Sequence, residues 1–308
     1  MNSKLESKVS TSPGIVSILT MDRLDLTKKA VSSILENSVE DIRIICFDNG
    51  SKDGTLKYLS ALKEAYGPDT IDFLSSEVNL GVAMGRNRVF RHIISNYGNG
   101  FKWVLNLDND CIVHPRYDEA ITKCIEETGA LAVVPRLIQP DGRIFHNAYD
   151  GFLINLNKMQ LKLEYADNVD MHFEDPLVSK RIASDVILGT SAKTPEFLDK
   201  VGFYDEGHKI GWEDFSIALK AFGLKKEYFL KWKEENKHKG NEWVQLRELM
   251  NGQGDQKALA MYEPECKITH DHSVTGVHGD YEKIRWKTQT IQESTDHFEK
   301  VWGIRPIM

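Results

Sequence analysis

Two carboxylates one residue apart close the apolar run Trp103-Val104-Leu105-Asn106-Leu107-Asp108-Asn109-Asp110. On an extended chain alternate side chains share a face, so Asp108 and Asp110 can converge on one cation, and such hard oxygen donors suit a divalent metal that also holds phosphate. Asp at a strand end can equally be turn chemistry, because its side chain bonds the backbone that follows. Other residues of reactive or ligating type stand at comparable places. Thr20 ends Ile15-Val16-Ser17-Ile18-Leu19, with Arg23 just beyond it, and Asp48 follows Ile42-Arg43-Ile44-Ile45-Cys46-Phe47. Arg86, a fork of donors, lies in the run 79–87 just after two glycines that permit close backbone approach, Gly81 and Gly85. Later come the acids Glu213 and Asp214 and the alternating imidazoles His270 and His272.

The elements between these residues must bring them together. Leu26, Ala30, Ile34 and Leu35 recur at helical spacing, as do Leu56, Leu59, Leu62 and Ala65. Strand, helix, strand, helix, strand implies a parallel sheet with right-handed crossovers. Ligands of such sheets collect at the carboxyl ends of the strands, where Thr20, Asp48 and Asp108 fall. A further strand is expected from Leu131, and another at Cys266-Lys267-Ile268-Thr269-His270.

In this order the pieces resemble the nucleotide-sugar domain of a GT-A glycosyltransferase of the broad family 2 type. The matching parts are the Thr20 strand end, the turn 48–55, the run 79–87, Asp108-Asn109-Asp110 as an Asp-x-Asp motif, and Gly211-Trp212-Glu213-Asp214-Phe215. The resemblance implies an α/β fold: a GT-A (Rossmann-like), mostly parallel sheet flanked by helices, with a C-terminal helical elaboration. It implies a metal-dependent, inverting hexosyltransferase that moves a sugar from a nucleoside diphosphate sugar to an acceptor by single displacement. UDP is the first choice of nucleotide, with GDP or dTDP as alternatives.

Carried over residue by residue, Asp110 would bind Mn²⁺ or Mg²⁺ with His270, or else His272, completing the shell. Asp108 would meet the ribose or sugar, Asn109 being the variable middle position of the donor motif. Asp48 would accept hydrogen bonds from the base, with Thr20 and Arg23 lining that pocket, and Gly81 and Arg86 would approach the sugar or phosphate. Arg86 could at the same time orient Asp108. Asp214 would deprotonate the acceptor, with Glu213 as the alternative or as its hydrogen-bonding partner. Capping of the helix that starts there is compatible with either role. Trp212 is open between an acceptor platform and a core aromatic.

The expected layout is a flexible N-terminus over 1–12, a nucleotide-sugar half over 13–135 and an acceptor-side half of the same domain over 136–223. A helical insertion or lid would occupy 224–264, and the metal-histidine strand and tail 265–308. The basic stretch 225–239 could meet an acidic acceptor or headgroups, but a solvated helix face is the ordinary outcome. Trp286, Phe298 and Trp302 in the tail could pack back on the domain or form a dimer contact.

Composition excludes several classes. The net charge of −7 over 308 residues, with both signs well mixed, argues against nucleic-acid binding. The four cysteines at 46, 111, 124 and 266 form no Cys-x-x-Cys pair, which points to reduced thiols in a cytoplasmic setting. No apolar run has transmembrane length and 1–12 does not read as a signal peptide, so association with the inner membrane face would be peripheral. The acceptor could be a saccharide, a peptide, a metabolite or a lipid-linked intermediate, and a homo-oligomer is compatible with the tail. A nucleotidyltransferase would need a basic, glycine-rich loop after the first strand, which Thr20-Met21-Asp22-Arg23-Leu24 does not supply. A sugar-nucleotide-binding protein without catalysis would have no need of Asp108, Asp110, Glu213, Asp214 and His270 together.

Overall fold

The strand β1 (Gly14–Thr20) is apolar on both faces, and Ile15, Val16 and Ile18 are fully buried. Such a strand must lie centrally in a sheet covered on both sides. The computed structural model, which describes residues 12–146, 151–164, 176–250, 258–271 and 288–307, shows this. β1 pairs in parallel with β2 (Ile42–Asn49) on one side and with β4 (Trp103–Asp108) on the other. β3 (Ile71–Ser76) extends the sheet beyond β2, again in parallel. The crossover helices are α1 (Leu24–Asn37), α2 (Thr55–Tyr66) and α3 (Val82–Tyr97). The chain runs outward through β1, β2 and β3 and then returns to place β4 on the other flank of β1, so the strand order reverses at β1. That reversal opens a crevice at the carboxyl edge. Thr20 pairs in register with Asp48, and Leu19 with Asp108, which fixes the three polar strand ends along that edge.

The other half of the sheet mixes directions. β11 (Ala192–Lys193) is antiparallel to both β4 and β6 (Ala132–Ile138), and β6 is parallel to the long β13 (Ala260–His270). β10 (Ile182–Ala183) edges β13, and β7 (Ile144–His146) pairs with β6. β5 (Cys111–Val113), just after the Asp108-Asn109-Asp110 turn, runs antiparallel to the end of β13. α4 (Tyr117–Thr128) opens on Asp118, which is fully buried and accepts the backbone N–H groups of Val39 and Glu40 at 2.7 Å each. Asp118→Ala strands both donors, and urea unfolding should show a loss of about 2 kcal/mol. An unchanged midpoint would show that water replaces the carboxylate without cost.

A second sheet, not anticipated from the sequence, joins β12 (Val244–Gln245), β8 (Gly151–Asn155), β9 (Gln160–Glu164) and β14 (Arg305–Ile307) in that order. Its strand β12 and the start of β13 both lie within 224–264, so that segment is not an all-helical insertion and the histidine strand begins before 265. The helices there are α7 (Lys226–Glu235) and the short α8 (Leu246–Met250), after α5 (Pro195–Val201) and α6 (Glu213–Ala221). α7 buries Phe229 and Trp232, while Lys231 and Lys237 pair locally with Glu235 and Glu234. The final helix α9 (Thr288–Trp302) returns across the domain. Phe298 is fully buried, and the Trp302 indole donates to Ser216 Oγ at 3.1 Å. The tail aromatics Phe298 and Trp302 therefore pack inward; Trp286 and the 1–11 segment lie outside the described residues. Among the described residues no helix is long and apolar enough to cross a membrane.

Candidate active site

Asp110 is held between two cations. Its Oδ2 accepts from Arg23 Nη1 at 3.0 Å, and its Oδ1 lies 3.2 Å from His270 Nε2. The histidine arrives through strand register: His270 pairs with Cys111 across β13 and β5, one residue from Asp110, and the Asp271 N–H donates to the Asp110 carbonyl at 3.0 Å. Asp110, Cys111 and His270 offer three ligand atoms within 4.8 Å of one another. Burial disfavours the imidazolium, but Cys111 and Asp110 outweigh it and hold His270 well above its ordinary range. A cation entering here must displace that proton. His272 lies outside the described residues.

Arg23 reaches Asp110 through a strained loop. Asp22 and Arg23 are consecutive left-handed residues, with φ of 51° and 61°. Such positions cost on the order of 1–3 kcal/mol each and persist only where neighbours over-determine them. The neighbours are specific: the Asp22 N–H donates to Ser51 Oγ at 2.7 Å, Asp22 Oδ1 accepts from the Lys52 N–H at 2.6 Å, and the Asp22 carbonyl accepts from Asn109 Nδ2 at 3.1 Å. Asn109 also donates to Thr27 Oγ1 at 3.1 Å, so its side chain anchors the loop. Arg23 correspondingly sits at the Asp110 carboxylate.

Asp48 and Thr20 form a buried pair, with Thr20 Oγ1 donating to Asp48 Oδ1 at 3.3 Å. Burial raises the Asp48 carboxyl, against opposing hydrogen bonds from Ser51 and Thr20. The glycines of the 79–87 run serve packing. A Cβ on Gly81, where φ is +86°, would lie 2.5 Å from the Lys209 carbonyl oxygen, and one on Gly85 would lie 2.7 Å from Leu19 Cδ1. Gly81 thus lets the 205–210 loop close on the start of α3, where the Val82 N–H donates to the Lys209 carbonyl at 2.9 Å.

Arg86 links the two halves of the site. Buried in α3, it donates from Nη2 to Asp108 Oδ1 at 2.9 Å and lies 3.9 Å from Glu213 Oε1 through Nη1. Among the described residues Arg86 Nε, Arg86 Nη1 and Glu213 Oε2 are buried and make no hydrogen bond. Polar atoms left in that state suit a ligand rather than a core. Burial, reinforced by Asp214, pushes the Glu213 carboxyl up to about 7, with Arg86 opposing. Asp214, half-buried, accepts its neighbour's Phe215 N–H at 2.9 Å. The geometry brings Glu213 to the Arg86–Asp108 pair. Trp212 is a core aromatic: its indole donates to Thr295 Oγ1 at 2.9 Å and its ring meets Phe215 edge-on at 5.1 Å.

Beneath Arg86 lie groups that sequence reasoning passed over. The Tyr204 ring has the Arg86 guanidinium 5.6 Å from its centroid and Lys193 Nζ 5.4 Å from it, and the Tyr204 hydroxyl accepts from Asn106 Nδ2 at 3.0 Å. Lys193 is fully buried, donates to Ser191 Oγ at 2.7 Å, and is held well below its ordinary range by burial and by Arg86. No spacing rule marks such a lysine, because its neighbours come from separate elements. Gly189 completes the seat: a Cβ there would lie 2.6 Å from Arg86 Nη1. Gly189→Ala should push the guanidinium off Asp108 and Glu213 and lower kcat/KM about 10- to 100-fold, since small misplacements at a reacting centre have effects of that order. Steady-state kinetics checks this, and wild-type kinetics in the variant would show that Arg86 is not a positioning group.

A mostly parallel sheet with its crevice at the strand-order reversal, and Asp108, Asp110 and His270 gathered at that edge, has the architecture of the GT-A fold. The chain belongs to glycosyl transferase family 2, whose sequence model matches residues 15–186. The structure of GalNAc-T7 with UDP, GalNAc and Mn²⁺ shares the fold at 14% identity and a TM-score of 0.55, over 86% of this chain and 44% of that one. A structure of residues 1–349 of TarS from S. aureus matches at 12% identity and a TM-score of 0.52, over 93% of this chain and 72% of its own. This chain thus spans less than half the length of the GalNAc-T7 chain, and the likeness in both cases is one of fold.

Proposed function

We propose that this protein transfers a sugar from a UDP-sugar to a nucleophilic acceptor with inversion, using Mn²⁺ or Mg²⁺ held by Asp110 and His270. The observation that carries the reading is that two contact groups, His270–Asp110–Arg23 and Asp108–Arg86–Glu213, meet at the Asp108-Asn109-Asp110 turn on one edge of the sheet. The donor set fits the ion: a carboxylate and an imidazole 3.2 Å apart leave the rest of the shell to diphosphate oxygens and water. When bound, the metal would neutralise charge developing on the leaving diphosphate.

The remaining chemistry belongs to the chain. Thr20 and Asp48 form the polar floor for the base. Arg86 holds Asp108 toward the sugar and keeps unused donors available to its hydroxyls or to phosphate oxygens. Glu213, with a carboxyl poised near neutrality, accepts the proton of the acceptor hydroxyl as that oxygen attacks the anomeric carbon. The anomeric bond to the diphosphate breaks in the same displacement. Asp214 neighbours Glu213 and adds negative charge that raises its basicity. Four buried, unbridged cysteines support a reducing, cytoplasmic location.

A donor-hydrolysis assay tests the reading without knowledge of the acceptor. Slow release of UDP from one UDP-sugar, dependent on Mn²⁺ or Mg²⁺, is expected. No release across UDP-, GDP- and dTDP-sugars would favour a binding protein without catalysis.

A further inference from the structure

A second group of ligating side chains stands outside the donor site. Asp205, His208 and His297 bring a carboxylate oxygen and two imidazole nitrogens within 4.8 Å of one another. Asp205 Oδ2 lies 3.0 Å from His297 Nε2, and Asp205 Oδ1 accepts the Gly207 N–H at 3.0 Å. The His208 and His297 rings meet edge to face at 5.0 Å, with Phe298 behind His208 at 5.9 Å. His208 is only 1% exposed, and among the described residues neither of its ring nitrogens makes a hydrogen bond. A buried imidazole without a partner is costly in a core and ordinary in a metal shell.

The surroundings are built to hold these three groups. A Cβ on Gly207 would lie 2.1 Å from the His297 ring, so that position must be glycine for the ring to enter. The N–H groups of Lys209 and Ile210 donate to Ser294 Oγ at 3.2 and 3.3 Å, and Lys209 Nζ pairs with Glu293 at 2.8 Å. These contacts clamp the loop to α9 on either side of the cluster.

We infer that Asp205, His208 and His297 form a second metal site that takes Zn²⁺ as a three-ligand N, N, O centre, closed by water. Zinc takes such donors at about 2.0–2.2 Å, so the three side chains would draw inward on loading. The site cross-links the loop just before Trp212-Glu213-Asp214 to the C-terminal helix. Its role is to fix the acceptor-side wall, independent of the metal at Asp110.

Metal-stripped full-length protein titrated with Co²⁺, a spectroscopic stand-in for Zn²⁺, tests this. The expected result is visible d–d bands of four-coordinate intensity, complete with one equivalent beyond any taken up at Asp110 and displaced by Zn²⁺. They should carry no sulfur-to-cobalt charge-transfer band, because no cysteine is in the set, whereas the Asp110 cluster includes Cys111. The bands should persist in Asp110→Asn and disappear in His297→Gln, whose side chain is 30% exposed and so tolerates replacement. Circular dichroism confirms that both variants are folded. Absence of the bands in Asp110→Asn, or their survival in folded His297→Gln, would overturn the proposal. If His297→Gln fails to fold, the Asp110→Asn spectrum alone decides the question.

Discussion

Asp110→Asn is expected to lower metal-dependent UDP release and sugar transfer by about 10³-fold or more, the order lost when leaving-group stabilisation is removed. A neutral amide cannot serve as the anionic ligand of a divalent cation. It also takes the Asp110 charge away from the Arg23 guanidinium, 3.0 Å away and 2% exposed. That second effect is structural and must be separated from the first. Alanine would remove the hydrogen bond to Arg23 as well as the charge, so asparagine, which still accepts a hydrogen bond, is the better probe. Kinetics and urea unfolding on the same preparation distinguish the outcomes. A large loss of rate with a modest loss of stability is expected, and full activity in folded Asp110→Asn would remove Asp110 from the metal site.

Glu213→Gln should reduce kcat by about 10²- to 10⁴-fold, the range that general-base catalysis contributes. Wild-type kcat/KM should fall as pH drops through about 7, as Glu213 takes up its proton, and the variant should lose that acid limb. Asp214→Asn should do much less, because Asp214 acts on Glu213 through charge. The stability effect has the opposite sign from the catalytic one. The folded-state pKa of Glu213 is raised from 4.5 to about 7, so between these values the folded form binds the extra proton and stability falls as pH rises. At pH 8 the wild type carries the whole penalty, and Glu213→Gln should unfold at the same or a higher urea concentration. Loss of activity together with loss of stability would instead mark Glu213 as a structural acid.

Asp22 and Arg23 fit the same trade. Their left-handed backbone, the buried charge on Glu213 and the buried amine of Lys193 all work against stability, and all converge on the contacts of Asp110 and Arg86. The stabilising half of the molecule lies elsewhere, in the apolar strands β1, β2 and β4 and in the Phe298 and Trp302 packing of α9.

The donor half was legible because its signals are local. An apolar run that stops at Thr20, Asp48 or Asp108 reports a strand end, and strands joined by helices must place those ends on one edge. Helical spacing at Leu26–Leu35 similarly announced α1. What local pattern did not carry depends on long-range register or backbone. His270 is named only through the family resemblance, and the register that sets it opposite Cys111 across β13 and β5 is nothing a spacing rule reports. Arg23 turns toward Asp110 because Asp22 and Arg23 adopt positive φ, a conformation that side-chain pattern does not encode. That Glu213 lies against Arg86 is likewise nothing that helical spacing reports. Asp205 and His297 are 92 residues apart, and β12 and β14 are too short to show alternation.

The most direct test is calorimetric titration of UDP-sugars into the wild-type protein and Asp110→Asn, with Mn²⁺ and with chelator. The account predicts binding of a UDP-sugar that requires Mn²⁺ in the wild type and is lost in the variant. Equal affinity in chelator, or undiminished Mn²⁺-dependent binding by Asp110→Asn, would contradict it.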